Sequence, residues 1–186
     1  PKQMHGYQVN VETRQRLGTG IIMEENGRGY LAEPALEAAK TLKQKDWNRM
    51  RIVVRGNLIE VYLHDVLACK VEDEAFLKGY IALQLNPYQS EDAVTEMEYR
   101  NIKVKDYGRE GNWRALFNGT DFTGWKQWGE EDWKVEGGII MGRSGPKKSE
   151  GYLATEEIFK DFRVRGSFKI LGEGNYGLFY HSTITL

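Results

Sequence analysis

The stretch "DFRVRGSFKI" (161–170) constrains the fold more than any other. Phe162, Val164, Phe168 and Ile170 alternate with Arg163, Arg165 and Lys169, and a period of two belongs to a strand with one buried face. "NLIEVYL" (57–63) repeats the pattern, setting Ile59, Val61 and Leu63 against Leu58, Glu60 and Tyr62. Between "RIVV" and "LIEVYL", Arg55-Gly56-Asn57 supplies a tight turn, and His64-Asp65 turns the chain again into "VLACKV", so a three-stranded meander is expected. Further strands are expected at "GYIALQL" (79–85), "MEYRNIKVK" (97–105), "WKVEGGIIMG" (133–142) and "GYLAT" (151–155). One stretch, "PALEAAKTLKQK" (34–45), reads as helix, with Pro34 suited to a first helical position. Many brief strands with Gly-rich turns imply an all-β antiparallel sandwich. A chain of 186 residues can bury the core of one such domain.

The 26 basic and 27 acidic side chains nearly cancel. They are interspersed along the chain, which argues against a nucleic acid or an anionic membrane as partner. The single cysteine, Cys69, excludes an intrachain disulfide and lies in a strand-like run, where it reads as core. No apolar run approaches the roughly 20 residues that span a bilayer, and the first residues lack a signal-peptide pattern. Five tryptophans and ten tyrosines are more than a core needs and suit a sugar-binding surface. Trp133 is assigned to the core, and Trp128, beside Gly129, to a sugar platform. Asn118 and Asp121 read as builders of the turn before Trp125, and His64 as a turn residue.

The last ten residues, "GLFYHSTITL", have strand composition but no returning strand, so a partner from elsewhere must cover their open edge. The Gly-, Asn-, Asp- and Thr-rich segment 105–125 marks a candidate boundary. "GIIM" followed by "GYLA" occurs twice, at 20–32 and at 138–154, but the gaps differ and the flanks do not align, so the echo is read as coincidence.

The run "LFNGTDFTGWKQW…DWKVEGGIIMG…GYLATEEIFKDFRVRGSFKI…GNYGLFYHS" resembles the opening half of the bacterial 3-keto-disaccharide hydrolase family. The matching motifs are Phe117-Asn118-Gly119, Gly124-Trp125, Trp133-Lys134-Val135, Lys160-Asp161-Phe162 and Asn175 to Phe179. "HGYQVNVE…GTGIIMEENGRGYLA…KDWNRMRIVVRGNLIEVYLHDV…KGYIALQLN…EYRNIKVK" is similar to the same family's closing half. The order is inverted. Residues 1–105 then form a closing half, 106–116 a linker and 117–186 an opening half. Either the chain is a circular permutant or it spans two tandem domains, with closure inside one chain or in a domain-swapped homodimer. The resemblance implies a concanavalin-like jelly-roll sandwich with a concave, sugar-accepting face, and a periplasmic or extracellular protein.

Val9 and Val11 fit the core, which places Gln8, Asn10 and Glu12 together on the opposite face. By the same alternation Gln84 and Asn86 share a side, and Arg28 and Tyr30 are placed to close one end. Phe179 and His181 are expected to share a face, with His181 meeting Glu12 above the sheet. The chemistry the resemblance implies starts at a 3-keto sugar, whose C2 hydrogen is acidified by the neighbouring carbonyl. A base removes it, and the resulting enolate expels the C1 substituent. Glu12 and His181 are the candidate catalytic groups, and Arg28, Tyr30 or a divalent metal would stabilise the enolate oxygen. Gln8, Asn10, Arg28, Tyr30, Gln84, Asn86 and Trp128 are the candidate carbohydrate contacts. No compact carboxylate pair of the retaining-glycosidase kind is visible. Gln8 stands where the family has Glu, and His181 where it has Arg. A non-catalytic, lectin-like module therefore stays open.

Overall fold

The computed structural model describes residues 3–12, 18–33, 35–86, 95–109, 111–129, 131–143 and 150–185. Two antiparallel sheets face each other. The first, sheet A, has seven strands in the order β10 (Trp125–Trp128), β13 (Gly151–Thr155), β7 (Tyr80–Asn86), β15 (Asn175–Thr185), β1 (Gln3–Glu12), β2 (Ile22–Glu25) and β3 (Gly29–Tyr30). Sheet B, with eight strands, runs β11 (Asp132–Glu136), β12 (Ile139–Arg143), β8 (Glu96–Asp106), β14 (Phe162–Ile170), β4 (Asn48–Arg55), β5 (Leu58–Leu63) and β6 (Val66–Glu72), with β9 (Arg114–Ala115) paired to β8. Each sheet interleaves strands from before and after the segment 106–116, so neither half of the chain completes a sheet. The second "GIIM" falls in sheet B and the first in sheet A, as expected of a coincidental echo.

The last strand finds its cover in the first. β15 pairs with β1 from Gln3 opposite Thr185 to Glu12 opposite Asn175, and with β7 on its other side. β15 thus pairs with β1 of the same chain, and both are interior strands of sheet A.

The meander forms as expected. Gly56 at φ 58° turns β4 into β5, and His64 and Asp65, at φ 47° and 70°, turn β5 into β6. Two consecutive positive φ values give the hairpin a twist that matches the strands it joins. The helix is shorter than the sequence suggests. It spans only Leu36–Lys40, Ala35 caps it without a side-chain bond, and Pro34 lies outside the described residues. Only Ala38 and Ala39 of this turn are buried, and Leu36 faces out, so little packing is available to extend it.

Between the sheets, Tyr7, Val9 and Val11 of β1 and Ile81, Leu83 and Leu85 of β7 meet Ile52 and Val54 of β4 and Phe162, Val164 and Phe168 of β14. Trp125, Trp133 and Cys69 belong to the same core. Asn118 accepts from the Thr120 and Asp121 amides and Asp121 from that of Thr123, building the turn before Trp125.

In space the cations are grouped, with Glu60, Asp65 and Glu98 among them. Alternation sends Arg49, Arg51 and Arg55 of β4, Arg163, Arg165 and Lys169 of β14, and Lys103 and Lys105 of β8 to the one face of sheet B that points away from the core. Even spacing along a strand becomes a stripe across a sheet. The sequence argument against anionic partners loses its premise here.

Candidate active face on sheet A

Strand registers lay the outward side chains of sheet A in rows. One row crosses all seven strands: Tyr30, Met23, Gln8, Phe179, Ala82, Ala154 and Lys126. The next runs Asn10, Gly177, Gln84, Tyr152, Trp128, and the third Glu12, Asn175, Asn86. The sequence grouped Gln8, Asn10 and Glu12 on one face and Gln84 with Asn86 on one side, and the strand registers bring the two groups onto the same face.

This outward face is buried to an unusual degree. Phe179, Ala82, Ala154, Tyr152 and Met4 form a second apolar cluster, backed by Tyr80, Trp128 and Ile184. Among them Gln8, Asn10 and Gln84 are at most 2% exposed. Gln8 Nε2 donates to Gln84 Oε1 at 2.8 Å, across the intervening strand. That crossing needs Gly177: a Cβ there would stand 2.1 Å from Gln8 Nε2 and 2.7 Å from Gln84 Oε1. Asn10 Nδ2 donates to the Gly18 carbonyl at 3.3 Å. Gln8 Oε1, Asn10 Oδ1 and Gln84 Nε2 remain without a hydrogen-bond partner among the described residues, although Gln84 faces the Tyr152 hydroxyl. Buried polar atoms left this way each cost about 1–3 kcal/mol, so such groups call for an explanation.

The row of Glu12, Asn175 and Asn86 is half-exposed. The Glu12 carboxylate and the Asn10 amide both lie beside Gly18, where a Cβ would stand 3.1 Å from Glu12 Oε2 and 3.3 Å from Asn10 Nδ2. Trp128 borders a cavity of about 340 Å³ on the same face, shared with Tyr80, Ala154 and Ile184, and Lys126 Nζ sits 4.4 Å from its ring centre.

Three further groups on this face escaped the sequence reading. The Tyr152 hydroxyl donates to Glu150 Oε2 at 2.5 Å while its ring meets Phe179 edge-on. Burial, and then the Glu150 charge, push the Tyr152 hydroxyl pKa upward, so it stays a donor at neutral pH. Glu25 has its carboxyl pKa raised by burial and by the charge of Glu150. The usable signal was the alternation of Glu150, Tyr152 and Ala154 in "EGYLAT". Glu25 was hidden in "EENGRG", which reads as a solvated hairpin.

His181 is not on this face. The register of β15 slips between Phe179 and Ser182, and His181 adopts φ 48°. This bulge flips the side chain to the core side, where its ring packs on Phe162 of sheet B (5.7 Å) and Tyr7 (6.3 Å). Two glycines make room for the bulged backbone: Cβ atoms on Gly6 and Gly79 would come within 2.6 Å of Ser182 Cα and 2.3 Å of Ser182 N. Nδ1 contacts the Phe76 carbonyl at 2.8 Å and Nε2 the Lys160 carbonyl at 2.6 Å. Burial lowers the ring's pKa, against the pull of those carbonyls. Glu12 lies at the far end of the same strand pair, opposite Asn175, roughly 20 Å away at about 3.4 Å per residue. The expected meeting of Glu12 and His181 is therefore absent, and His181 works as a clasp between β15 and two loops.

Arg28 is likewise committed elsewhere. Its guanidinium grips both oxygens of Asp73 (2.7 and 2.8 Å) and also binds Glu24, while the Tyr7 hydroxyl donates to Asp73. The Arg28 bonds hold the Asp73 carboxyl far below its usual range, and burial with the Asp73 bond pushes Tyr7 up to about 12. Tyr30 stays 60% exposed at the edge strand, pointing to the outward face. Among the described residues no group of three or more His, Cys, Asp or Glu side chains is arranged to hold a metal, and no helix is long and apolar enough to cross a membrane.

A two-sheet sandwich with an amide- and aromatic-lined outward face has the form of a carbohydrate-active domain, and the comparison with known families is specific. The model of the 3-keto-alpha-glucoside-1,2-lyase-like domain matches residues 1–105 and 112–185, and the chain belongs to this family. No curated protein matches the chain.

Proposed function

We propose that the outward face of sheet A binds a 3-keto-glucoside and cleaves its glycosidic bond by elimination. The observation that supports this most is the buried amide group of Gln8, Asn10 and Gln84, whose two acceptors and one donor without partners suit the hydroxyls of a sugar. The half-exposed row of Glu12, Asn175 and Asn86 is the way in, and Trp128 offers an aromatic edge for a neighbouring ring. Glu12 takes the C2 proton. The C–H electrons form the C2–C3 double bond and place negative charge on the C3 oxygen, to which the Tyr152 hydroxyl, kept protonated by burial, turns its one hydrogen from Glu150. When the C3 carbonyl re-forms, the C1–oxygen bond breaks, C1 and C2 become doubly bonded, and the departing oxygen takes the proton from Glu12; water then adds to the enone. On this reading the two family stretches act as one unit, and the protein works in the periplasm or outside the cell.

A chromogenic 3-keto-glucoside tests the reading. Aglycone release should fall about 10²-fold or more in Glu12→Gln and in Tyr152→Phe, with a primary isotope effect from deuterium at C2. Release unchanged in Glu12→Gln overturns it. Binding without release leaves the lectin-like alternative, which is favoured by one observation: the central polar groups are amides, which bind but do not transfer protons.

A further inference from the structure

On the opposite side of the molecule, Arg51, Arg165 and Lys103 stand directly across from one another on β4, β14 and β8. Strands lie about 5 Å apart, and like charges in register destabilise a sheet. No carboxylate pairs with them: Asp65 lines the groove but is held by Arg49 (2.9 Å), Glu60 pairs with Lys70 (3.6 Å) and Glu98 with Lys169 (2.5 Å), and among the described residues no ion pair involves Arg51, Lys103, Arg163 or Arg165. Instead the row is held open by stacking. The Arg51 guanidinium lies 3.8 Å from the Tyr62 ring centre and that of Arg165 4.3 Å from Trp113. Gly166 and Ser167 help line the groove, whose volume is about 430 Å³.

We propose that this groove is a second ligand site, for an acidic oligosaccharide whose carboxylate or sulfate groups bridge Arg51, Arg165 and Lys103. Guanidinium forks fit planar carboxylates and sulfate oxygens in pairs, and stacking on Tyr62 and Trp113 fixes both forks in advance. A single-stranded nucleic acid fits less well, because it needs open aromatic faces for its bases and here the guanidiniums occupy a face of each ring. The choice of saccharide draws on the family's carbohydrate chemistry and not on the reaction proposed for sheet A.

The test is calorimetric titration at low salt with a tetragalacturonate, a sulfated tetrasaccharide, a neutral tetrasaccharide and a short single-stranded DNA. One or both acidic saccharides should bind, and the Arg51→Gln/Arg165→Gln double variant should weaken that binding about tenfold or more. Its Tm should match or exceed that of the parent, since a repulsion has been removed. Carboxylate against sulfate preference names the anion. No binding by either acidic saccharide, equal binding by the double variant, or DNA bound at least as tightly overturns the proposal. Aglycone release by the opposite face is read separately, so the two readings fail independently.

Discussion

The outward faces of the two sheets obey the same alternation and end differently. On sheet B the outward positions of β14 and β4 are mostly arginines and lysines, exposed or half-exposed, with Val53 and Ser167 among them, a stripe of charge over an apolar interior. On sheet A the outward positions of β7, β13 and β15 are Ala82, Gln84, Ala154, Tyr152 and Phe179, buried as deeply as the core behind them. The sheet A surface buries amides without partners and keeps aromatic rings from water, which is what the proposed binding of a polyhydroxylated ligand rests on. The other is organised around charge.

The contrast can be broken most sharply at Phe179. If its face is a true second core, Phe179→Ala should cost about 3 kcal/mol or more in denaturant unfolding, whereas Arg165→Ala on the other face should shift stability by no more than about 0.5 kcal/mol. Equal small effects would make the two faces alike. Next comes Gly177→Ala, which forces Gln8 and Gln84 apart and leaves their amides buried; a loss of about 1–3 kcal/mol is expected, with weakened sugar binding by titration. Glu25 provides the smallest effect. Its raised folded pKa means that its favourable contribution is complete below about pH 4 and is lost as pH rises through the folded value. Glu25→Gln should therefore be slightly more stable than the parent at pH 7, by up to about 0.5 kcal/mol, with the gap closing toward pH 4 in thermal melts.

The two faces were also unequally legible. The strands of sheet B announce themselves, because "DFRVRGSFKI" and "NLIEVYL" each have one wet side. Those of sheet A carried a different mark that the alternation argument passed over: "YIALQL", "GYLA" and "GLFY" are nearly continuous apolar runs, as strands covered on both sides must be. Placement of Gln8, Asn10, Glu12, Gln84 and Asn86 succeeded because β1 and β7 keep strict period over those residues. His181 failed for the converse reason. One extra residue in β15 inverts every facing beyond it, and nothing in "FYHST" declares the left-handed backbone that permits it. Glu150 and Tyr152 were within reach of alternation, but in "EGYLAT" the apolar Leu153 stands between Tyr152 and Ala154, so neither face declares itself polar. The charge balance misled because it was read along the chain, where the folded register alone decides which cations become neighbours.

The pairing of Gln3 with Thr185 has a mechanical corollary. Both residues leave the sandwich side by side, from strands that run in opposite directions, so tension applied through them loads the hydrogen bonds between β1 and β15 one rung at a time instead of all in shear. A tether at these points would open the seven-stranded sheet from its middle like a zip, at low force, laying the amide row bare before the opposite sheet had yielded.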